Sequence, residues 1–299
     1  MAINIPDAYI STFENTVRQL AQQKVSKLRS CVSEVNKQSE SHNWDRLAAS
    51  SARAKTSARM VSPAGGDGSG AVGGTDGLDW TRRNTTIAAY DTGEVIEQEN
   101  IVQMLIDPKS ASTESLVMNM SRQIDDIVIA AALGAAGDGA GGTVALPAGQ
   151  ILGDYSTEIS LDFCLEVQEV YDANDVDPDE ERYMVIGPKQ KRKLMQLIEV
   201  TSSDFQGDRQ ALATGYLPSF LGFNWIVSNR LNVPLADQLD CFSFTRKGLG
   251  LHVAGDISTR VAERVDMSFA WQIYLMLQMA AVRVEDEHVV HCKLADTVT

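Results

Sequence analysis

Two stretches of the 299-residue chain carry the glycine spacing GxGxxG that can cradle a phosphate: Gly68-Ser-Gly70-Ala-Val-Gly73 and Gly137-Asp-Gly139-Ala-Gly-Gly142. A dinucleotide site needs that turn between a strand and a helix N-terminus, where backbone N–H groups meet the pyrophosphate. Neither stretch has that setting, and the second follows a helical pattern, which is the reverse order. No GxxxxGK(S/T) run exists for a nucleotide triphosphate, and no GxSxG elbow for a nucleophilic serine. Asp175-Val-Asp177-Pro-Asp179 begins like a calcium loop, but position 6 is Glu180 and position 12 is Ile186. That loop needs glycine and a bidentate glutamate there, so these acids read as a solvated helix-to-strand turn. His288-Val-Val-His291-Cys292 resembles a ligand run. On a strand, positions 288 and 291 point to opposite faces, so they cannot share an ion. Lys189, Lys191, Arg192 and Lys193 cluster at the start of one helical pattern, suited to a phosphate, an acidic neighbour or water. No catalytic residue, metal or cofactor is expected from these patterns.

The element around which the rest is organised runs from about Asp107 to Gly134. Leu116, Met120, Ile124, Ile127 and Ala131 recur at helical steps, with Ser115, Asn119, Arg122 and Asp126 on the opposite face. Asp107 can cap this helix with Pro108 as its first residue, or Ser112 can cap it with Glu114 in the first turn. Gly134 is the natural stop. At about 1.5 Å per residue the helix is roughly 30–40 Å long. From Ile127 onward apolar residues go all round, which predicts buried last turns.

Upstream, Ile10, Phe13, Val17, Leu20 and Leu28 lie at helical spacing among Arg18, Lys24, Lys27 and Arg29. Such a basic amphipathic segment suits nucleic acid, a membrane surface, a partner, or packing on its own domain. Residues 36–60 are polar, and residues 63–77 are a glycine-rich loop rather than an element interior. Trp80–Arg83, Thr85–Tyr90 and Gly93–Ile96 read as extended segments, so residues 50–95 form a long arm with the glycine loop at its tip. Downstream, 161–173 reads as helix, 182–186 as buried strand, and a helix opens at Pro188 and runs to about Val200. Residues 223–228, 241–244 and 250–253 read as strands. Residues 155–250 are therefore an α/β or α+β unit. Residues 268–284 and His288–Leu294 read as a closing β-hairpin around Glu285-Asp286-Glu287.

The chain has a net charge of −14, which argues against a general basic surface for nucleic acid. The charge is uneven, since residues 1–60 hold nine Lys and Arg against five Asp and Glu. Four scattered cysteines with no CxxC pair suggest reduced thiols in a cytosolic setting. No signal peptide is expected, and the longest apolar run, Ile127–Leu133, is too short to span a membrane.

Several segments, in order, resemble the major capsid proteins of tailed bacteriophages, from the branch common in short-tailed phages. They are INIPDAYISTFENTVRQLAQQKVSKLR, QMLIDPKSASTESLVMNMSRQIDDIVIAAALG, DPDEERYMVIGPKQ, FLGFNWIVSNRL and QIYLMLQMAAVRVEDEHVV. The resemblance implies an α+β chain with the Hong Kong 97-type capsid fold. Its parts would be an N-terminal arm at 1–49 and an extended β-hairpin loop at 50–95. A peripheral domain would comprise 96–154 and 255–299, with the long spine helix at about 108–133, and an axial domain would comprise 155–254. It implies a structural protein rather than an enzyme. Copies would self-assemble as hexamers and pentamers into an icosahedral head shell that encloses double-stranded DNA without reading its sequence. A portal is an implied partner, with scaffold or decoration proteins as further candidates, and no membrane is involved. The location would be the virion, and the host cytoplasm during assembly. The alternatives are an encapsulin-like compartment of the same fold, or a soluble enzyme with an unrecognised site. An arm and an extended loop cannot bury themselves on one subunit, so Ile10, Phe13, Val17, Arg18, Trp80, Arg82 and Arg83 are the candidate inter-subunit contacts.

Overall fold

A computed structural model describes residues 19–47, 80–99, 108–197, 217 and 219–296. The long helix, α1, runs from Pro108 to Leu133. Its expected stop is in place, with the Gly134 N–H donating to the Ala130 carbonyl at 2.8 Å. Of its expected caps, Asp107 lies outside the described residues.

The strands are β1 (Ser33–Asn36), β2 (Ser41–Leu47), β3 (Trp80–Thr86), β4 (Ala88–Ile96), β5 (Ala136–Gly137), β6 (Thr143–Val144) and β7 (Ile151–Leu152). They continue with β8 (Arg182–Ile186), β9 (Phe223–Val227), β10 (Gln238–Thr245), β11 (Leu249–Arg264), β12 (Ala270–Arg283) and β13 (Val289–Ala295). Two further helices are α2 (Leu161–Ala173) and α3 (Pro188–Gln196). The sheets have the orders β1-β11-β12-β4, β7-β13-β10-β8-β9 and β2-β3-β5-β6.

The chain divides into two compact units. One comprises Met1–Ser26, Ala89–Gln123 and Asp256–Leu277. In it β4 lies beside the outer part of the β11–β12 hairpin, so closely that a side chain on Gly93 would come within 2.8 Å of the Ile273 carbonyl oxygen. The first half of α1 buries Met118 and Met120. Its Arg122 donates to Gln22, and its Ala111 carbonyl accepts from Gln19.

The other unit comprises Lys27–Ala88, Ile124–Gly255 and Gln278–Thr299. Its core is the five-stranded sheet with Met184, Val185, Ile186, Cys241, Phe242, Phe244, Val289, Val290 and Cys292 buried. Helix α2 begins as its sequence requires, with the Ser160 hydroxyl accepting from the Phe163 N–H at 3.1 Å. It buries Phe163, Cys164, Val167 and Tyr171, and the Tyr171 hydroxyl donates to Ser243 on β10.

Several expectations are corrected. The closing segments are both strands, but they do not form a hairpin. β12 pairs with β11 and β4, whereas β13 pairs antiparallel with β10 and parallel with β7. The polar Glu285–Glu287 stretch is a crossover between sheets, because Asp286 is drawn inward to two arginines. β13 thereby joins the sheet of residues 151–245 rather than completing a peripheral sheet. The short strand expected at 250–253 is the start of β11, which continues for 16 residues. β2 falls in the stretch read only as polar, and β1 falls just before it, where no strand was expected. Helix α3 ends at Gln196, and residues 198–200 of the expected span lie outside the described residues.

Candidate inter-subunit interface

β2 and β3 pair antiparallel, in register from Ser41↔Thr86 to Leu47↔Trp80. Strand alternation sorts their side chains onto two faces. One face carries Trp80, Arg82 and Asn84 with Asn43 and Asp45. The Arg82 Nε is 2.6 Å from Asp45 Oδ1, an exposed pair. Trp80 is 72% exposed, opposite the exposed Leu47. A groove of about 680 Å³ opens here, lined by Trp80, Arg82, Asp45, Asp138, Gly139 and Val144 among others.

The other face carries Arg83 and Thr85, both buried. The Arg83 guanidinium lies 2.7 Å from Asp286. Of the two neighbouring arginines proposed for inter-subunit contact, Arg82 is presented outward, whereas Arg83 is held within the subunit. Period-two alternation alone separates them. Ile10, Phe13, Val17 and Arg18 lie outside the described residues.

Lys27 and Leu28, ahead of β1, are tied to α1 and to the end of β9. The backbone N–H groups of Lys27 and Leu28 converge on the Asp125 carboxylate at 3.1 Å, and Lys27 Nζ donates to the Val227 carbonyl at 2.6 Å. Asp125 is buried on α1, and Leu28 is buried beside it. Sequence periodicity missed Asp125, since nothing in its neighbourhood marks a buried carboxylate. The adjacent Asp126 holds Arg230. Replacing Asp125 by alanine strands the buried Leu28 N–H and the partly buried Lys27 N–H, at a cost of about 1–3 kcal/mol. Tryptic cleavage at Lys24, Lys27 and Arg29, followed by mass spectrometry, should therefore speed up about 5–150-fold in Asp125→Ala subunits. Unchanged cleavage would mean the arm is held elsewhere.

The residues suspected of site chemistry do not converge. His291 Nε2 meets Asp240 at 2.9 Å, His288 meets Thr245 and Glu285, and His252 meets the Lys37 carbonyl. Among the described residues no group of three or more His, Cys, Asp or Glu could hold a metal ion. The second glycine motif is the β5–β6 turn. Its Ala140 and Gly142 N–H groups point at the Asp138 carboxylate at 2.8 Å and hold that carboxyl below its usual range. In the calcium-like stretch, Asp177 Oδ1 accepts from the Asp179 N–H, closing a turn. Lys189 pairs with Asp296 and Lys193 with Glu158, the acidic-neighbour option for that cluster. All four cysteines are buried free thiols, and burial pushes Cys164 and Cys241 up to about 12.

This architecture is shared with phage shells. The chain is similar to the capsid of cyanophage Pam1, with a TM-score of 0.75 at 12% identity over 100% of both chains. It is also similar to the capsid of cyanophage P-SCSP1u, with a TM-score of 0.73 at 16% identity over 97% of this chain and 94% of that one. The Ralstonia phage GP4 capsid gives 0.70 at 10% identity over 100% and 98%. No curated protein matches. The fold is accordingly the Hong Kong 97-type α+β capsid fold. Residues 5–296 match the model of the phage capsid protein family, and the chain belongs to that family.

Proposed function

We infer that this chain is the major capsid protein of a tailed phage, a structural subunit whose copies build the head shell. The observation that carries the reading is the family match across residues 5–296. The shell would consist of hexamers and pentamers, enclose double-stranded DNA, and be joined to a portal, with scaffold or decoration proteins as further partners. Assembly would take place in the host cytoplasm. The acidic bulk gives DNA little to grip, leaving the basic stretch of residues 1–60 as the contact. Trp80 and Arg82 at the loop base, with Ile10, Phe13, Val17 and Arg18 on the arm, are the proposed inter-subunit contacts. The regions remain an arm, an extended loop, and peripheral and axial domains as first drawn, except that β13 pairs within the axial sheet. Sedimentation and negative-stain microscopy of the expressed protein test the reading. Closed shells are expected, and a monodisperse monomer at every concentration and salt overturns it.

Charge supplies a second test. Each copy carries −14, so the long-range term opposes closure. The Debye length falls from about 30 Å at 0.01 M to about 8 Å at 0.15 M salt. Exposed ion pairs that salt weakens are each worth only about 0–1 kcal/mol, whereas repulsion sums over the lattice. Empty shells should therefore be more stable near 0.15 M than near 0.01 M salt, as read by light scattering. Shells that loosen steadily over that range would show that local ion pairs govern closure.

A further inference from the structure

β2 meets the start of β11 through a pair of histidines. The half-buried side chains of β2 are His42, Trp44 and Arg46. Trp44 lies over Gly250, where a side chain would begin 2.8 Å from its indole, and it packs against Val282 and Val284. Two residues further along β11, the wholly buried His252 ring lies against His42, with centroids 5.3 Å apart and planes tilted by 42°. His42 also meets Trp44 edge-on, with centroids 4.4 Å apart. Two titratable rings thus lie side by side where the two strands pack.

Hydrogen bonds fix the His252 tautomer. Its Nε2 lies 2.9 Å from the Lys37 carbonyl, which can only accept. The Ser39 hydroxyl is 3.3 Å from the same nitrogen, but it donates to the Ser41 carbonyl at 3.0 Å. Nε2 therefore carries the proton, and Nδ1 carries the lone pair, buried with no hydrogen-bond partner among the described residues. A second proton, on Nδ1, would be a buried donor without an acceptor and beside another imidazole. The surroundings do not invite that charge. β1 sets Val35 beside His252, and β3 sets Thr85 opposite His42, with Arg83 next on that face and held by Asp286. Arg46, beyond Trp44, pairs with Glu287, and Glu40 is exposed. Burial, then His252, then the Lys37 ammonium hold His42 below its ordinary range.

We propose that His42 and His252 form an acid-sensitive joint between β2 and β11, closed while both rings are neutral and loosened when acid charges them. The joint lies inside one compact unit of one subunit, so it stands whether or not copies build a shell. Its sign follows from proton uptake. The unfolded chain takes a histidine proton at about pH 6.5, and folded His42 takes it only at lower pH. Acid therefore favours the open form. What the joint contributes is complete above the unfolded value and declines as pH falls through it. The remaining histidines are set differently, since His291 faces Asp240 and His288 faces Glu285.

The experiment follows amide hydrogen exchange between about pH 7.5 and about pH 5, on whichever form the expressed protein takes, with histidine ring resonances read on free subunits. Exchange of residues 37–47, corrected for the intrinsic rate, should be about tenfold faster at the acid end. His42→Gln combined with His252→Gln should abolish that step. The His42 ring should titrate below its ordinary value of about 6.5 and move upward in His252→Gln, whose amide keeps a donor for the Lys37 carbonyl but carries no charge. Should the variants misfold, exchange and ring titration of the parent still decide. Exchange in 37–47 that ignores acid, or a step that survives in the folded double variant, would overturn the proposal. So would acceleration confined to the segments around His288 and His291, or a His42 midpoint that is not lowered in the parent or does not move in folded His252→Gln.

Discussion

Asp286→Ala should lower the melting temperature of the free subunit by about 6–20 °C. Asp286 is shared by two guanidiniums, with Arg83 at 2.7 Å and Arg283 at 2.6 Å. Arg283 is wholly buried and Arg83 is 6% exposed. The remaining donors of Arg283 go to the carbonyls of Gly134, just past α1, and Val144 on β6. One carboxylate thus joins β3 to the end of β12 and, through Arg283, to the stop of the long helix. Removing it leaves two like charges buried side by side. Breaking a buried pair costs about 3–5 kcal/mol, a large part of a total that is about 5–15 kcal/mol. Charge alone does not make this cluster stabilising, since a well-packed apolar replacement of a whole buried network is often neutral. Arg83→Met with Asp286→Leu, keeping Arg283 on its two carbonyls, should therefore lose less than Asp286→Ala. A loss below about 1 kcal/mol for Asp286→Ala, by thermal or denaturant melts, would show that water replaces the carboxylate.

The same cluster shows what could be read in advance. Helices α1 and α2 and strand β8 were legible because their signals are local: Pro108 and Gly134 for one, the LDFCLEVQEVYDA run for the next, and an apolar RYMVI run for the third. Strand partners were not, because pairing joins residues far apart in sequence. The run from Ala270 to Ala295 reads as two strands around a polar turn whether or not they pair with each other. The decisive fact, Asp286 turning inward, depends on Arg83 some 200 positions earlier. β2 was missed for another reason. Ser-His-Asn-Trp-Asp-Arg-Leu alternates half-buried His42, Trp44 and Arg46 with exposed neighbours, but two of the three inward residues are basic or titratable. An apolar template does not register them. For the candidate contacts, alternation along β3 was available and would have put Arg82 and Arg83 on opposite faces, but which face is buried was not legible, since the apolar Trp80 shares the outward face of Arg82.

Asp240→Asn is expected to cost about 3 kcal/mol at neutral pH, and the loss should shrink in acid. Asp240 sits on β10 and is nearly buried. One oxygen accepts from the Tyr155 hydroxyl at 2.6 Å and faces His291 Nε2 at 2.9 Å, and the other accepts from Asn232 at 2.6 Å. These groups come from the loop after β7, from β13 and from the loop before β10, so the carboxylate fixes three segments at one point. Tyr155 reaches it from a left-handed backbone at φ 67°, a conformation that costs about 1–3 kcal/mol and must be offset by what its side chain gains. Asparagine offers one acceptor where the site holds three donors, and its own amide would face one of them. Burial alone would raise the Asp240 carboxyl, but the hydrogen bonds from His291, Tyr155 and Asn232 outweigh burial and hold it below its ordinary value. The unfolded chain binds a proton at about pH 3.9, and the folded chain only below that. The stabilisation is therefore complete above the unfolded value and disappears as pH falls through the folded one. Melts of the two proteins from pH 7 to pH 3 should show a constant gap down to about pH 5 and a narrowing gap below about pH 4. A gap that stays constant to pH 3 would assign the loss to shape rather than charge. A gap absent at pH 7 would mean that the three donors find other partners and that the carboxylate does not hold the loops together.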